Sequence, residues 1–382
     1  MTAWIWNSSD WPSLKYRAEP LAEPLKVARI EYGRLLGKAE AIAPKDLASL
    51  QQNIWAGEAV ATAAIEGEVL NLAAVRSSVA RRLGINTDFT AHIPRNVEGL
   101  LDVMESAAAD WDSDLTEDRL CRWQAALFPA GGTALRSVTV GRYRAHEAPM
   151  QIVSGPIGSE KVHYVAPPSN SVGQEMQAFL AWFNRNRTSV LDGIVRAGLA
   201  HVWFESIHPF EDGNGRVGRA IIDLALAQDA RQATRLHGVA IELRRRQAEY
   251  YEMLNQAQRG TGDVTDWLVW FVRVFHESCR ASGVLIDESL VRARFWRDHQ
   301  HIALNERQRK VLNKVLEAGP GAFEGGLTLR KYANMTGISR VTAWRDLEDL
   351  LQKKLIVTGD AKGRSTHYNI NIRGWEWVAR IQ

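Results

Sequence analysis

Twelve consecutive residues, His208 to Arg219, place an imidazole, two carboxylates, a glycine-rich bend and two arginines in one short stretch: His-Pro-Phe-Glu-Asp-Gly-Asn-Gly-Arg-Val-Gly-Arg. Each of these types has a use if the ligand is a polyphosphate. An ordinary imidazole pKa of about 6.5 lets His208 take a proton near neutral pH. Asp212 offers a hard oxygen to Mg²⁺, which binds through one or two carboxylates and fills further positions with phosphate oxygens. The Gly213-Asn214-Gly215 bend can turn successive N–H groups toward one point, an anion nest at a helix N-terminus. Arg216 and Arg219, three apart on that helix, can fork onto phosphate oxygens.

Two simpler readings compete. Gly213, Gly215 and Gly218 fit Gly-x-Gly-x-x-Gly, the dinucleotide fingerprint, but that motif follows an apolar β-strand. Here Ile194, Val195, Leu199, Val202, Trp203 and Ile207 precede it at helical spacing, which argues against that use. The other reading is a polar turn between two helices, with His208 satisfied in the core and both arginines solvated. A lone His-Pro fits that description better than the whole constellation does.

The pattern His208-Pro209-Phe210-x-Asp212-Gly213-Asn214-Gly215-Arg216-x-x-Arg219 resembles the signature of the Fic family, whose members usually transfer AMP from ATP to a protein hydroxyl. The resemblance implies that His208 is the catalytic base. It also implies a nucleotide site formed by Phe210, Asp212, Gly213, Asn214, Gly215, Arg216 and Arg219, with Asp212 holding Mg²⁺. Upstream, Thr62-Ala63-Ala64-Ile65-Glu66-Gly67 matches Ser/Thr-x-x-x-Glu-Gly/Asn, the inhibitory motif of many Fic proteins. Carried over, Glu66, with Thr62, pairs with Arg219 and obstructs the ATP γ-phosphate. A carboxylate and a guanidinium at contact attract by about 4 kcal/mol at an effective dielectric near 20, before desolvation costs, so a triphosphate has to displace a real interaction. Without the signature downstream, Glu66 reads as an ordinary solvated helix carboxylate. Whether this chain also removes AMP is left open.

The elements that must position these residues are mostly helical. Apolar spacing predicts helices over about 20–42 and 46–66, the second stopped by Gly67, then over about 70–83, 93–111 and 117–127. Before them, Trp4, Trp6 and Trp11-Pro12 suggest an extended segment laying aromatics on a neighbour. Met150 to Val153 and Val162 to Val165, separated by a Gly-Pro-Ile-Gly bend, predict a hairpin. In Fic proteins a comparable hairpin, the flap, receives the target by strand addition, so residues 149–165 are the expected docking place of a protein target. An ordinary hairpin on a helical domain is the alternative. Helices over about 172–186 and 192–207 lead into the signature, and one follows it. Asp263 is placed to cap a later helix containing Trp270, Phe271 and Phe275. Tyr251 is a candidate to face the adenine, although an aromatic at helical spacing is equally at home in the core.

At 382 residues the length predicts two or three domains, and 46% apolar residues suffice for their cores. Two cysteines, Cys121 and Cys279, make neither a disulfide framework nor a zinc pattern, which favours a reducing compartment. The first residues lack a signal-peptide pattern and no stretch is apolar enough to span a membrane, so a cytoplasmic protein without membrane partners is expected. Net charge is only +3, but residues 291–382 carry an excess of +8. In that tail, helices are expected over 305–316, 327–335 and 339–351, with Gly337 as a turn and two strands near 355–358 and 366–370, after a connecting helix over 291–301. This resembles a winged helix-turn-helix, with Ser339 to Arg345 opening the helix that would touch DNA. A winged helix that binds protein instead remains open.

The sequence therefore predicts a mainly α protein in three parts: an N-terminal helical extension with the inhibitory helix over 1–85, a Fic core over 86–285, and a linker helix with a winged helix over 286–382. The expected function is a protein adenylyltransferase using ATP and Mg²⁺ on a Tyr, Ser or Thr hydroxyl and held off by Glu66. The alternative is a DNA-binding transcriptional regulator, contacting DNA through 326–370, whose Fic core senses nucleotide. Homodimerisation is left open.

Overall fold

The computed structural model describes residues 4–42, 44–85, 93–129, 132–133, 136–154, 159, 161–233, 236–319, 326–359 and 366–372. The chain forms two compact units, residues 1–286 and 287–382. The described residues are mainly helical, with three short antiparallel strand pairs.

In the larger unit, α1 (Ala18–Glu40), α2 (Pro44–Ile65) and α3 (Leu72–Arg82) come first. Gly67 follows α2 at φ 79°, a left-handed position that suits glycine and turns the chain sharply. Next are α4 (Arg95–Ala109) and α5 (Glu117–Leu127), the latter capped by Thr116, whose hydroxyl accepts the Arg119 N–H. Residues Gly132–Thr133 (β1) and Arg136–Ser137 (β2) pair, as do β3 (Gln151–Ser154) and β4 (Lys161–Val165). The β3–β4 register shifts between Ile152 and Val153. The expected bend at 155–158 lies outside the described residues.

The centre of this unit is α7 (Gly193–Ile207), which follows α6 (Val172–Arg185) and packs against α8 (Asn214–Ala230). Every residue of α7 is buried, so it shows no polar face, and its start is fixed by Asp192, whose carboxylate accepts the Ile194 N–H. Beyond α8 lie α9 (Val239–Arg245), α10 (Gln247–Gln258) and α11 (Thr265–Asp298). Asp263 accepts the Thr265 N–H at 2.9 Å at the start of α11. The connecting helix expected over 291–301 is not a separate element: α11 runs unbroken for 34 residues, to Asp298. The sequence has no proline there, and its charged residues are good helix formers.

The N-terminal tryptophans bind this unit together. The Trp6 indole N–H donates to the Val165 carbonyl at 2.7 Å and that of Trp11 to Glu175 at 2.8 Å, while Trp4 meets Tyr164 edge to face.

The smaller unit contains α12 (Glu306–Ala318), α13 (Leu329–Thr336) and α14 (Arg340–Gln352), followed by the antiparallel pair β5 (Ile356–Thr358) and β6 (Tyr368–Ile370). Asn305 and Gln308 form a capping box on α12, and Ser339 caps α14. Leu312, Tyr332, Leu347 and Ile356 are among its core residues. Of the 326–370 stretch, residues 360–365 lie outside the described residues.

Candidate functional site

The end of α7 sets the position of His208. This residue is the helix C-cap in a left-handed conformation (φ 50°, ψ 60°), rare for a side chain other than glycine, asparagine or aspartate. The buried Arg144 guanidinium holds the main chain in that shape, donating to the carbonyls of His208 (2.8 Å), Ile207 (3.2 Å) and Pro167 (2.7 Å). The Tyr164 hydroxyl on β4 donates to the Ser206 carbonyl at 2.7 Å, so the hairpin braces the same helix end.

The bend after His208 is built by Asn214 and Gly213. The Asn214 side chain accepts the Phe210 N–H at 2.9 Å and donates to the Phe210 carbonyl at 2.8 Å, and Gly213 takes φ 89°. Phe210 is fully buried against Tyr143 and Phe204, and the Asn214 amide is spent on the Phe210 main chain, so both side chains shape the loop. The first helical bond of α8 runs from the Val217 N–H to the Gly213 carbonyl, so by helix geometry the first-turn N–H groups point out of its end.

Arg219 is buried one turn further along. Its Nε donates to the Thr62 hydroxyl at 2.5 Å, and its Nη2 donates to the Thr62 carbonyl (3.0 Å) and to Glu66 Oε1 (2.7 Å). The Glu66 carboxylate lies against the Gly215 main chain: a Cβ on Gly215 would stand 2.2 Å from Glu66 Oε1. From α10, the Tyr251 hydroxyl and the Gln247 amide both donate to the Ile65 carbonyl at 3.0 Å, clamping the last turn of α2. Arg216 points elsewhere. Its Nη1 donates to Glu68 at 2.7 Å and its Nη2 lies 3.6 Å from Asp212 Oδ1.

A cavity of about 360 Å³ brings together Glu66, His208, Gly215, Arg219 and Tyr251 with Glu205, Tyr250 and Leu254. Asp212 faces an adjoining groove shared with Gln151, Val153 and Val162 of the hairpin. Its carboxylate is half exposed and accepts the Gly213 N–H at 2.6 Å. A single hard carboxylate beside a helix N-terminus fits a Mg²⁺ that arrives with phosphate, while the described residues hold no cluster of three or more metal-ligating side chains.

The electrostatics keep the His208 imidazole uncharged. Burial, then the nearby Arg144, pushes His208 down to about 4, against the opposing pull of the Glu205 carbonyl and Glu66. The ring is therefore neutral at neutral pH and able to accept a proton. Burial pushes the Glu205 carboxyl up to about 8, with Glu66 adding and Arg219 opposing. Glu205 Oε2 lies 3.7 Å from His208 Nδ1. Glu68, Glu205 and Arg144 were not picked out from the sequence. Glu205 lies one helical turn before His208 and was visible by spacing; the side-chain partners of Arg144 are 23 to 64 residues away, which no local pattern shows.

Residues 114–226 match the Fic/DOC family, and residues 4–85 match a domain of unknown function (DUF4172). A stretch of 97 residues, 25% of this chain, is 34% identical to the protein adenylyltransferase Fic of Nematostella vectensis, and it spans only 21% of that protein's length. In fold the chain is similar to a Fic family protein of Desulfovibrio desulfuricans, with a TM-score of 0.53 and 22% identity over 91% of this chain and 95% of that one. It is also similar to a Fic-domain-containing signalling protein of Bacteroides thetaiotaomicron, with a TM-score of 0.52 and 18% identity over 68% of this chain and 96% of that one. The chain thus carries a Fic/DOC family domain in a mainly helical Fic fold with a small hairpin.

Proposed function

We propose that a chain carrying this Fic/DOC family domain is a protein adenylyltransferase that moves AMP from ATP to a hydroxyl of a protein target and is held off by the turn after α2. The observation that carries the reading is the closed set Thr62–Arg219–Glu66, of which Arg219 and Glu66 line the same cavity as His208 and the N-terminus of α8. An anion seated at that helix end gains from its unpaired N–H groups and from the dipole, and Glu66 already occupies part of that place.

In the reaction His208 takes the proton of the target hydroxyl, whose oxygen bonds to the α-phosphorus. The bond from that phosphorus to the bridging oxygen breaks and pyrophosphate leaves. Asp212 would hold Mg²⁺, which supplies charge neutralisation to the phosphates. The α8 N-terminus and Arg216 bind the phosphates, Arg219 takes the γ-phosphate once Glu66 has left, and Tyr251 faces the adenine. Most of the rate then comes from positioning and charge stabilisation. The β3–β4 edge beside Asp212 is suited to hold an extended target segment in register. We assign residues 1–85 to the inhibitory extension, 86–285 to the catalytic core and 286–382 to an accessory winged helix.

Intact-mass analysis of the full chain and a candidate target after incubation with ATP and Mg²⁺ tests this. Glu66→Gly is expected to raise AMP incorporation at least tenfold, the scale of a displaced ion pair of about 1.4 kcal/mol. Glu66→Gly combined with His208→Ala is expected to abolish it while keeping the thermal midpoint of Glu66→Gly. No AMP adduct with Glu66→Gly would refute the reading.

A second reading, a DNA-binding regulator whose Fic core senses nucleotide, is favoured by the exposed start of α14, where Arg340, Val341, Trp344 and Arg345 stand in solvent.

A further inference from the structure

Glu68 lies two residues beyond Glu66, outside the matched inhibitory motif, and the reading above gives it no task. Its Oε1 accepts from Arg216 Nη1 at 2.7 Å. The Arg216 side chain is buried, its guanidinium lies over the Phe128 ring at 5.1 Å, and its Nε makes no hydrogen bond to any described residue. Glu68 is therefore the closest anionic partner of this arginine, since Asp212 stands off at 3.6 Å.

The backbone explains how one turn reaches both arginines. The N–H groups of Glu66 and Glu68 both donate to the Ala63 carbonyl at 3.0 Å, and Gly67 between them takes φ 79°. Arg216 and Arg219 are three apart on α8 and so neighbours on its surface. Glu66 takes one and Glu68 the other. Their surroundings differ: Glu66 lines the cavity with His208, whereas Glu68 is absent from its lining and meets Arg216 near Asp212.

We infer that Glu68 is an independent determinant of phosphate affinity, holding Arg216 away from the phosphates nearer the nucleoside as Glu66 holds Arg219 away from the terminal one. This rests on the reading that the site takes a nucleoside polyphosphate. A carboxylate on a guanidinium fork occupies the N–H groups that a phosphate would use, and its charge opposes an anion at the same place. A diphosphate must displace Glu68 but has no γ-phosphate to meet Glu66, so the two carboxylates are separable by ligand length.

Calorimetric titration of the full-length protein with ADP and with ATP, each with Mg²⁺, tests the inference without depending on transfer. Glu68→Gln is expected to tighten ADP by about fivefold, the worth of one half-exposed ion pair. Glu66→Gly is expected to tighten ATP by a larger factor than ADP. Glu68→Asp, which keeps the charge but withdraws it by one methylene, should fall between wild type and Glu68→Gln. ADP affinity that is unchanged or weaker in Glu68→Gln, in a protein that melts like wild type and while Glu66→Gly still tightens ATP, overturns the role of Glu68 and leaves the nucleotide reading standing. Absence of nucleotide binding in all of these proteins overturns both.

Discussion

Burial pushes two neighbours on one helix end in opposite directions, and the stability of the protein must register both. His208 falls to about 4 and His201 to about 3 from an ordinary 6.5, each chiefly through burial, so the unfolded chain takes up these protons first. Their contribution is complete above pH 6.5 and is lost as pH falls through the folded values. Glu205 rises from 4.5 to about 8, so its contribution is complete below 4.5 and is lost as pH rises toward 8. Glu205→Gln is therefore expected to raise the thermal midpoint at pH 8 relative to that at pH 5 by several degrees, roughly 2–4 °C for each kcal/mol removed. An unchanged gap in scanning calorimetry would mean that the carboxyl is not held neutral. The signature residues were legible because they are contiguous and chemically diverse. The place of Glu205 one turn before His208 was legible too, but its raised pKa was not, because that comes from burial in the shell around α7. The burial of Phe210 and the side-chain bonds of Asn214 were beyond sequence for the converse reason: a place in a functional motif does not say what a side chain packs against.

Among the elements, the contact of α4 with α5 is the closest approach of two helices that depends on a missing side chain. A Cβ on Gly99 would stand 1.9 Å from the Ala126 carbonyl oxygen, which is main chain and cannot swing aside. Gly99→Ala is expected to destabilise the larger unit by about 1–3 kcal/mol, the usual cost of overpacking, despite the better helix propensity of alanine. Chemical denaturation measures it, and a stability equal to wild type would show that the helices part at little cost. The helices themselves were legible where one face is apolar: the spacing gives 117–127 and α5 spans Glu117–Leu127. The departure is in α11, which takes in most of the connecting helix expected over 291–301, since no glycine or proline between 284 and 298 ends it.

At the scale of the whole chain, two cores form, and the smaller unit coincides with the basic tail noted from composition. Arg340, Val341, Trp344 and Arg345 stand exposed on the first two turns of α14, a mixture of cationic and flat apolar groups suited to a phosphate backbone and the groove beside it. If this face meets DNA, the full-length chain retards duplex DNA at low salt, and replacing Arg340 and Arg345 by alanine lowers the log–log salt slope by about one for each lost phosphate contact. Retardation that ignores salt, or none at all, would remove DNA from the account. Overall charge pointed to this tail because the excess is concentrated there; the exposure of Trp344 was beyond sequence, since a tryptophan at that position is equally compatible with a core.

On the proposed reading, Glu66 at the turn before Gly67 covers Arg219, so a triphosphate is accepted only by molecules in which that carboxylate has left. Apparent nucleotide affinity then scales with the fraction of molecules caught open, and a turn open one time in a hundred weakens it about a hundredfold. That fraction also sets the dynamic range of any control exerted here. A binding partner that displaces the turn can raise activity no further than the reciprocal of the resting open fraction, so the ratio of Glu66→Gly to wild-type activity is an estimate of the widest signal this chain can carry.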